Sequence, residues 1–262
     1  MYEMMSRAEI NRVTPLLNRR VDKFVYLSDK NLEGFDFKVI DKDRFVKIGN
    51  AIAPVPITPV PRENLNIGKE DFVLCTVSRA IPEKGWEEGI AAVKLARKLS
   101  GREIHLVLVG EGPEYDRLRH SVKEHFIHFA GFRDNVRDFF ATADLGFLPS
   151  RFRGESYPLV VIECLQAGRP VLASDIGETA KMIETASGPA GSVFALENWK
   201  LPVKRIAELI AEYATDSGLQ AGHLDRVSEA VKKFDPEKML RSYETVYQEV
   251  LGGNGEQAPR RE

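Results

Sequence analysis

The chain has 262 residues, 43% hydrophobic and 29% charged, with a formal net charge of −2, which suits one large globular domain or two small ones. Its lysines and arginines are dispersed, which argues against a nucleic-acid surface. No apolar run reaches the ~20 residues of a membrane span and no signal-peptide core opens the chain, so a cytoplasmic protein with at most peripheral membrane contact is expected.

Residues 1–20 read as a partly amphipathic helix, with Met4, Met5, Ile10 and Val13 as its stripe and Pro15 as an interruption. Residues 22–28 read as a strand, 32–35 as a turn or helix, and 45–52 as a second extended segment. Pro54, Pro56, Pro59 and Pro61 then make a stiff connector, so residues 53–69 are expected to link two parts. From residue 70 apolar strands and helices alternate. Strands are predicted at 72–78, 104–109, 127–130, 144–148, 171–174 and 192–195. Helices are predicted at 86–99, 115–125, 136–142, 158–168, 179–186, 201–215, 224–233 and 237–250. Residues 252–262 are polar and are expected to be disordered.

This alternation predicts an α/β fold: a Rossmann-like parallel sheet with helices on both faces. Ligands of such sheets bind at the carboxyl ends of the strands. Residues 78–79, 110–112, 131–133, 150–154 and 175–178 should therefore meet in one crevice. Cys75 and Cys164 lie in apolar runs and read as buried free thiols. His105, His120, His125, His128 and His223 show neither metal-ligand spacing nor a base partner. They read as structural, and no metal site is expected.

The most informative stretch is residues 149–170, PSRFRGESYPLVVIECLQAGRP. A buried strand precedes it. Pro158 reads as the first helical residue with Ser156 near the cap, and Gly168 ends the helix. The helix start leaves the Leu159, Val160 and Val161 amides as free donors at a positive dipole end, a ready site for a diphosphate. Glu155 precedes that helix. Glu163 follows eight positions later inside an otherwise apolar run, where an idle carboxylate would be costly.

The order strand, Pro-Ser, Glu, Pro-Leu-Val, Glu, Ala-Gly-x-Pro-Val resembles the signature of retaining nucleotide-sugar glycosyltransferases of the glycogen-synthase-like group. These are the group 1, or family 4, enzymes of the GT-B fold. Residues 70–251 resemble their nucleotide-sugar-binding domain, and residues 1–52 only the end of their N-terminal acceptor domain. The resemblance implies sugar transfer from a UDP-, GDP- or ADP-sugar, with no cofactor and no essential metal. Glu155 would contact the donor sugar and Glu163 the ribose hydroxyls. The R-x(4)-K-G pattern from Arg79 to Gly85 resembles the family's diphosphate clamp, which makes Arg79, Lys84 and Glu155 the catalytic candidates.

Ser156, Tyr157, Pro158, Leu159 and Val160 would line the diphosphate. Gly110 and Gly112 would let the backbone approach the donor, a plain tight turn being the alternative. Phe132 and Arg133 would lie by the nucleobase, a simple loop being the alternative. Glu83 would reduce the charge of Lys84 if the two paired. Arg151 and Arg153 read as solvated or structural, and Glu178 as a helix-start charge. The chain would be truncated, half of a split enzyme, or a gene fragment, completed by the missing N-terminal domain, a partner subunit or a second copy. Envelope or exopolysaccharide assembly is the frequent role of such proteins. Two other readings stay open: a non-catalytic nucleotide-sugar-binding or partner-docking subunit, and a nucleotide-sugar epimerase.

Overall fold

The computed structural model describes residues 6–33 and 40–253. Met4, Met5, Phe35 and residues 254–262 lie outside them. The chain divides into two compact units, Met1–Ala53 with Phe234–Glu262, and Pro54–Lys233. The last helix thus groups with the N-terminal segment, and not with the sheet as the expected 70–251 domain implies.

In the first unit, α1 (Arg7–Arg20) opens on a capping box: Glu9 N donates to Ser6 Oγ at 3.3 Å and Ser6 N to Glu9 Oε2 at 2.7 Å. The helix runs through Pro15 without the expected break. Strands β1 (Phe24–Tyr26) and β2 (Phe45–Lys47) pair in parallel, with the Phe24 and Phe45 rings stacked 4.6 Å apart. The last helix, α9 (Pro236–Gly253), is tied to this unit by a 2.9 Å ion pair between Glu249 and Lys23.

The second unit is the expected α/β domain. Its strands are β3 (Phe72–Val77), β4 (Ile104–Val109), β5 (Ile127–Gly131), β6 (Leu145–Leu148), β7 (Val171–Ser174) and β8 (Gly191–Phe194). All are parallel, in the order β5-β4-β3-β6-β7-β8. The helices between them are α2 (Trp86–Ser100), α3 (Pro113–Ser121), α4 (Val136–Thr142), α5 (Leu159–Gln166) and α6 (Thr179–Ile183), followed by α7 (Val203–Thr215) and α8 (Ser217–Val231).

The period of two explains why these strands are so apolar. Leu74, Leu106, Leu108, Leu145, Phe147 and Leu172 face one core cluster shared with Trp86, Ile90 and Val93 of α2 and Ile206 and Ile210 of α7. The alternate residues, such as Val73, Cys75 and Val107, are buried as well. Both cysteines are buried free thiols. Among the described residues no helix is long and apolar enough to cross a membrane.

The amino-terminal edge of the sheet is closed by its own polar network. Arg62, in the connector, donates to both carboxylate oxygens of Asp144 at 3.0 and 2.9 Å and to the carbonyls of Thr142, Lys69 and Asp71. Asp144 also accepts from Val73 N at 2.8 Å. A cavity of about 460 Å³ lies here, but the Arg62 guanidinium within it is already committed.

Near this edge His105 Nδ1 lies 2.9 Å from His128 Nε2, and His105 Nε2 lies 3.2 Å from Asp71. Burial, then the neighbouring His105 and His125, hold the His128 pKa down to about 4, against an ordinary 6.5. The His105 pKa is also lowered, first by burial; Asp71 and Glu103 oppose that shift, while Arg97 and His125 add to it. Below the ordinary histidine value the unfolded chain therefore takes up protons that the fold refuses, and stability falls as pH drops from about 6.5 towards 4. His128→Gln keeps a polar partner for His105 and removes one titration. Its urea midpoint should decline less steeply over that interval than the wild-type midpoint; parallel curves would contradict the assignment.

Candidate functional site

The strand order reverses between β3 and β6, so the chain leaves their carboxyl ends in opposite directions and a crevice opens between them. The loop after β3 brings Arg79 and Lys84, and the loop after β6 brings residues 149–157. Gly85 makes their approach feasible. Its φ is 67°, and a Cβ there would lie 2.1 Å from the Pro149 carbonyl oxygen.

Lys84 Nζ forms an ion pair with Glu155 Oε2, each side chain only 11% exposed. Buried Ser150 donates to the same oxygen at 3.0 Å. Charges this far from water are expensive unless paired and hydrogen-bonded, and this pair has both. Lys84 thus pairs with Glu155, not with its neighbour Glu83, whose carbonyl instead accepts from Arg151 N at 2.7 Å. The Phe152 ring centroid lies 5.1 Å from Lys84 Nζ and 5.7 Å from Arg79 Cζ.

The two arginines flanking Phe152 have structural contacts. Arg151 pairs with Glu88 of α2, and Arg153 lies 4.3 Å over the Trp199 ring. Trp199 Nε1 donates to the Arg151 carbonyl at 2.9 Å.

Helix α5 starts one residue later than expected. Pro158 is its N-cap, in extended conformation, and no side chain caps it. Ser156 acts through its carbonyl, which accepts from Glu178 N at 2.8 Å. Val161 N donates back to Pro158 O at 3.1 Å, so it is not the free donor the sequence suggested. The Leu159 and Val160 amides, first in the helix, have no intrahelical acceptor. Tyr157 has its phenol pKa pushed up to about 12 by burial and by the Glu178 charge. Glu178 is the buried N-cap residue of α6.

Glu163 sits on α5, partly buried. Burial raises its pKa, and the charge of Arg137 opposes that rise. Arg137, on α4, is itself buried, and its Nε has no hydrogen-bond partner among the described residues.

Beside Arg79 lies a cavity of about 200 Å³ lined by Ser78, Arg79, Gly110, Glu111, Phe132 and Arg133, among others. The strand ends of β3, β4 and β5 thus contribute to one pocket, and Phe132 is 60% exposed there. Gly112 is outside that lining. Its bare α-carbon is needed for packing, since a Cβ would lie 2.5 Å from Ala80 O. Among the described residues no group of three or more His, Cys, Asp or Glu is arranged to hold a metal ion.

The structure therefore brings Arg79, Lys84 and Glu155 to one place, with Phe152 across them. The sequence reading missed Phe152 and Trp199. Phe152 stood in view within the motif, whereas Trp199, 48 residues from Arg151, gave no local signal.

Residues 59–233 match the family model of the group 1 glycosyl transferases. The chain is 27% identical over 195 residues to N-acetyl-alpha-D-glucosaminyl L-malate synthase of Bacillus anthracis, covering 72% of this chain and 49% of that protein. It is 30% identical over 174 residues to a phosphatidyl-myo-inositol mannosyltransferase of Mycolicibacterium smegmatis, covering 63% and 42%. It spans half or less of the length of either relative. Among solved structures, HepE of Anabaena with UDP-glucose superposes with a TM-score of 0.74 at 20% identity, covering 96% of this chain and 70% of that one.

The raised Glu163 pKa has a consequence for stability. The folded chain holds this proton more tightly than the unfolded chain, so ionising Glu163 costs stability as pH rises from the ordinary carboxylate range through the raised folded value. Glu163→Gln removes that cost. Its melting temperature should exceed the wild-type value at pH 7, and the two should converge below pH ~4. A variant that melts lower than wild type at pH 7 would refute this.

Proposed function

The chain belongs to the group 1 glycosyl transferases, and we propose that it carries the donor-binding half of an enzyme that moves a sugar from a nucleoside diphosphate to an acceptor with retention at the anomeric carbon. The observation that carries this reading is the convergence of Arg79, Lys84 and Glu155 at the reversal of strand order, beside a cavity of about 200 Å³.

In this reading the nucleobase enters the cavity at Phe132 and Arg133, and Glu163 accepts hydrogen bonds from the ribose hydroxyls. The diphosphate lies against the Leu159 and Val160 amides, Arg79 and Lys84, and Glu155 meets the donor sugar. Glu163 is about 8 Å along the helix from Pro158, the span from a sugar across a diphosphate to a ribose. A nucleoside diphosphate sugar as donor is supported by the UDP-glucose bound to the Anabaena neighbour.

The chemistry asked of the chain is electrostatic. As the bond between the anomeric carbon and the phosphate oxygen breaks, negative charge grows on that oxygen. Fixed cations and amides stabilise it more in the transition state than in the ground state. The acceptor oxygen bonds to the same face of the carbon as the phosphate oxygen leaves, and its proton passes to the departing phosphate.

Because the chain spans about half of its relatives, it should bind nucleotide and by itself transfer sugar slowly or not at all. Calorimetric titration with UDP, GDP and ADP tests the reading. One of them should bind, and Glu163→Ala should weaken it about ten-fold, as expected for losing a charge-assisted hydrogen bond. Binding of none, by this chain and by a version extended to its relatives' length, would overturn the donor site. Full-speed transfer by this chain would overturn the division into halves.

A further inference from the structure

Arg79 and Lys84 bear like charge, and a diphosphate clamp needs both on the same side of the ligand before the ligand arrives. The ring of Phe152 lies within cation–π range of each, at 5.7 Å and 5.1 Å. We propose that Phe152 is a positioning residue of the clamp: its ring holds Arg79 and Lys84 together, and the turn bearing Trp199 holds the loop that carries Phe152. The inference rests on the donor-site reading above and names residues that reading does not use.

The ring is fixed from within its own loop. Phe152 N donates to Ser150 Oγ at 3.2 Å, and Glu155 N donates to Phe152 O at 3.0 Å. Gly154 leaves room for it, since a Cβ there would lie 2.6 Å from the ring. Ser150 also holds Glu155, so the ring, both cations and the carboxylate form one connected unit. Lys84 is nearly out of water, which strengthens its attraction to the ring.

The loop is fixed from outside by a turn that carries backbone strain. Asn198 and Trp199 have φ of 49° and 61°, left-handed values unfavourable for side chains. The turn is closed by Glu197 N to Lys200 O and Lys200 N to Glu197 O, both 2.9 Å. Glycine would suit position 199 better, and tryptophan there is 40% exposed, so burial does little to compensate. What the indole does is reach the loop: its N–H meets the Arg151 carbonyl and its face meets Arg153. Arg151 is held again by Glu88.

The test uses the full chain and the diphosphate selected above (UDP, GDP or ADP) with its matching monophosphate. Phe152→Leu keeps an apolar side chain and removes the ring. It should weaken the diphosphate about five-fold, a loss typical of one cation–π contact, and change the monophosphate less than about two-fold. Phe152→Tyr should restore wild-type affinity. Trp199→Gly relieves the backbone strain, so its melting temperature should not fall, yet it should weaken the diphosphate in the same direction; it also carries the test if Phe152→Leu folds poorly. Unchanged or tighter diphosphate binding by these variants would overturn the inference, the tighter result marking Phe152 as a cover over the site. Equal losses for mono- and diphosphate would overturn it too, as damage to the whole pocket. Failure of both the wild-type chain and the version extended to its relatives' length to bind any diphosphate would instead sink the donor-site reading and this inference with it.

Discussion

The site depends on one buried ion pair, Lys84 with Glu155. These residues are 71 positions apart and belong to loops that leave neighbouring strands in opposite directions. Joining them holds the two loops together across the crevice. The pair survives burial because Ser150 supplies a further hydrogen bond and Phe152 lies against the cation. Gly85 is the backbone condition for it, since any side chain there would meet the Pro149 carbonyl.

The parallel sheet explains why chemistry gathers at one edge. Strands buried on both faces leave no room for function along their length, so polar side chains accumulate in the loops at their ends. At the amino-terminal edge, Arg62 and Asp144 bind each other and the surrounding backbone, which joins the connector to the sheet. At the carboxyl edge lie the cavity beside Arg79 and the first amides of α5, which lack intrahelical acceptors.

Much of the fold was legible because its signals are local. Helix α4 and strands β4 and β7 have the bounds predicted from their apolar runs. The misses have physical causes. Helix α8 begins at Ser217, seven residues before the expectation, because Asp216 caps it by accepting from Gly218 and Leu219 amides. Gly218 and Gly222 depress helix propensity, but burial of His223, Val227 and Ala230 outweighs them. The sequence pattern makes Pro158 the first helical residue, whereas in the structure it is the N-cap. Its conformation is extended, and the loop before it is bonded to Glu178 N through the Ser156 carbonyl.

Strand and helix order, the parallel α/β class, and the spacing of Glu155 and Glu163 about one helix start are all written in the residues alone. Each of these follows from periodicity or from neighbours within a few residues. That Lys84 pairs with Glu155 and not with adjacent Glu83, and that Phe152 lies across both cations, emerges only once the chain is folded. The same holds for the contact of Trp199 with the Arg151 carbonyl. Those contacts are set by which strands lie side by side and by how closely two loops approach at the sheet edge. Residue spacing along the chain carries no record of that arrangement.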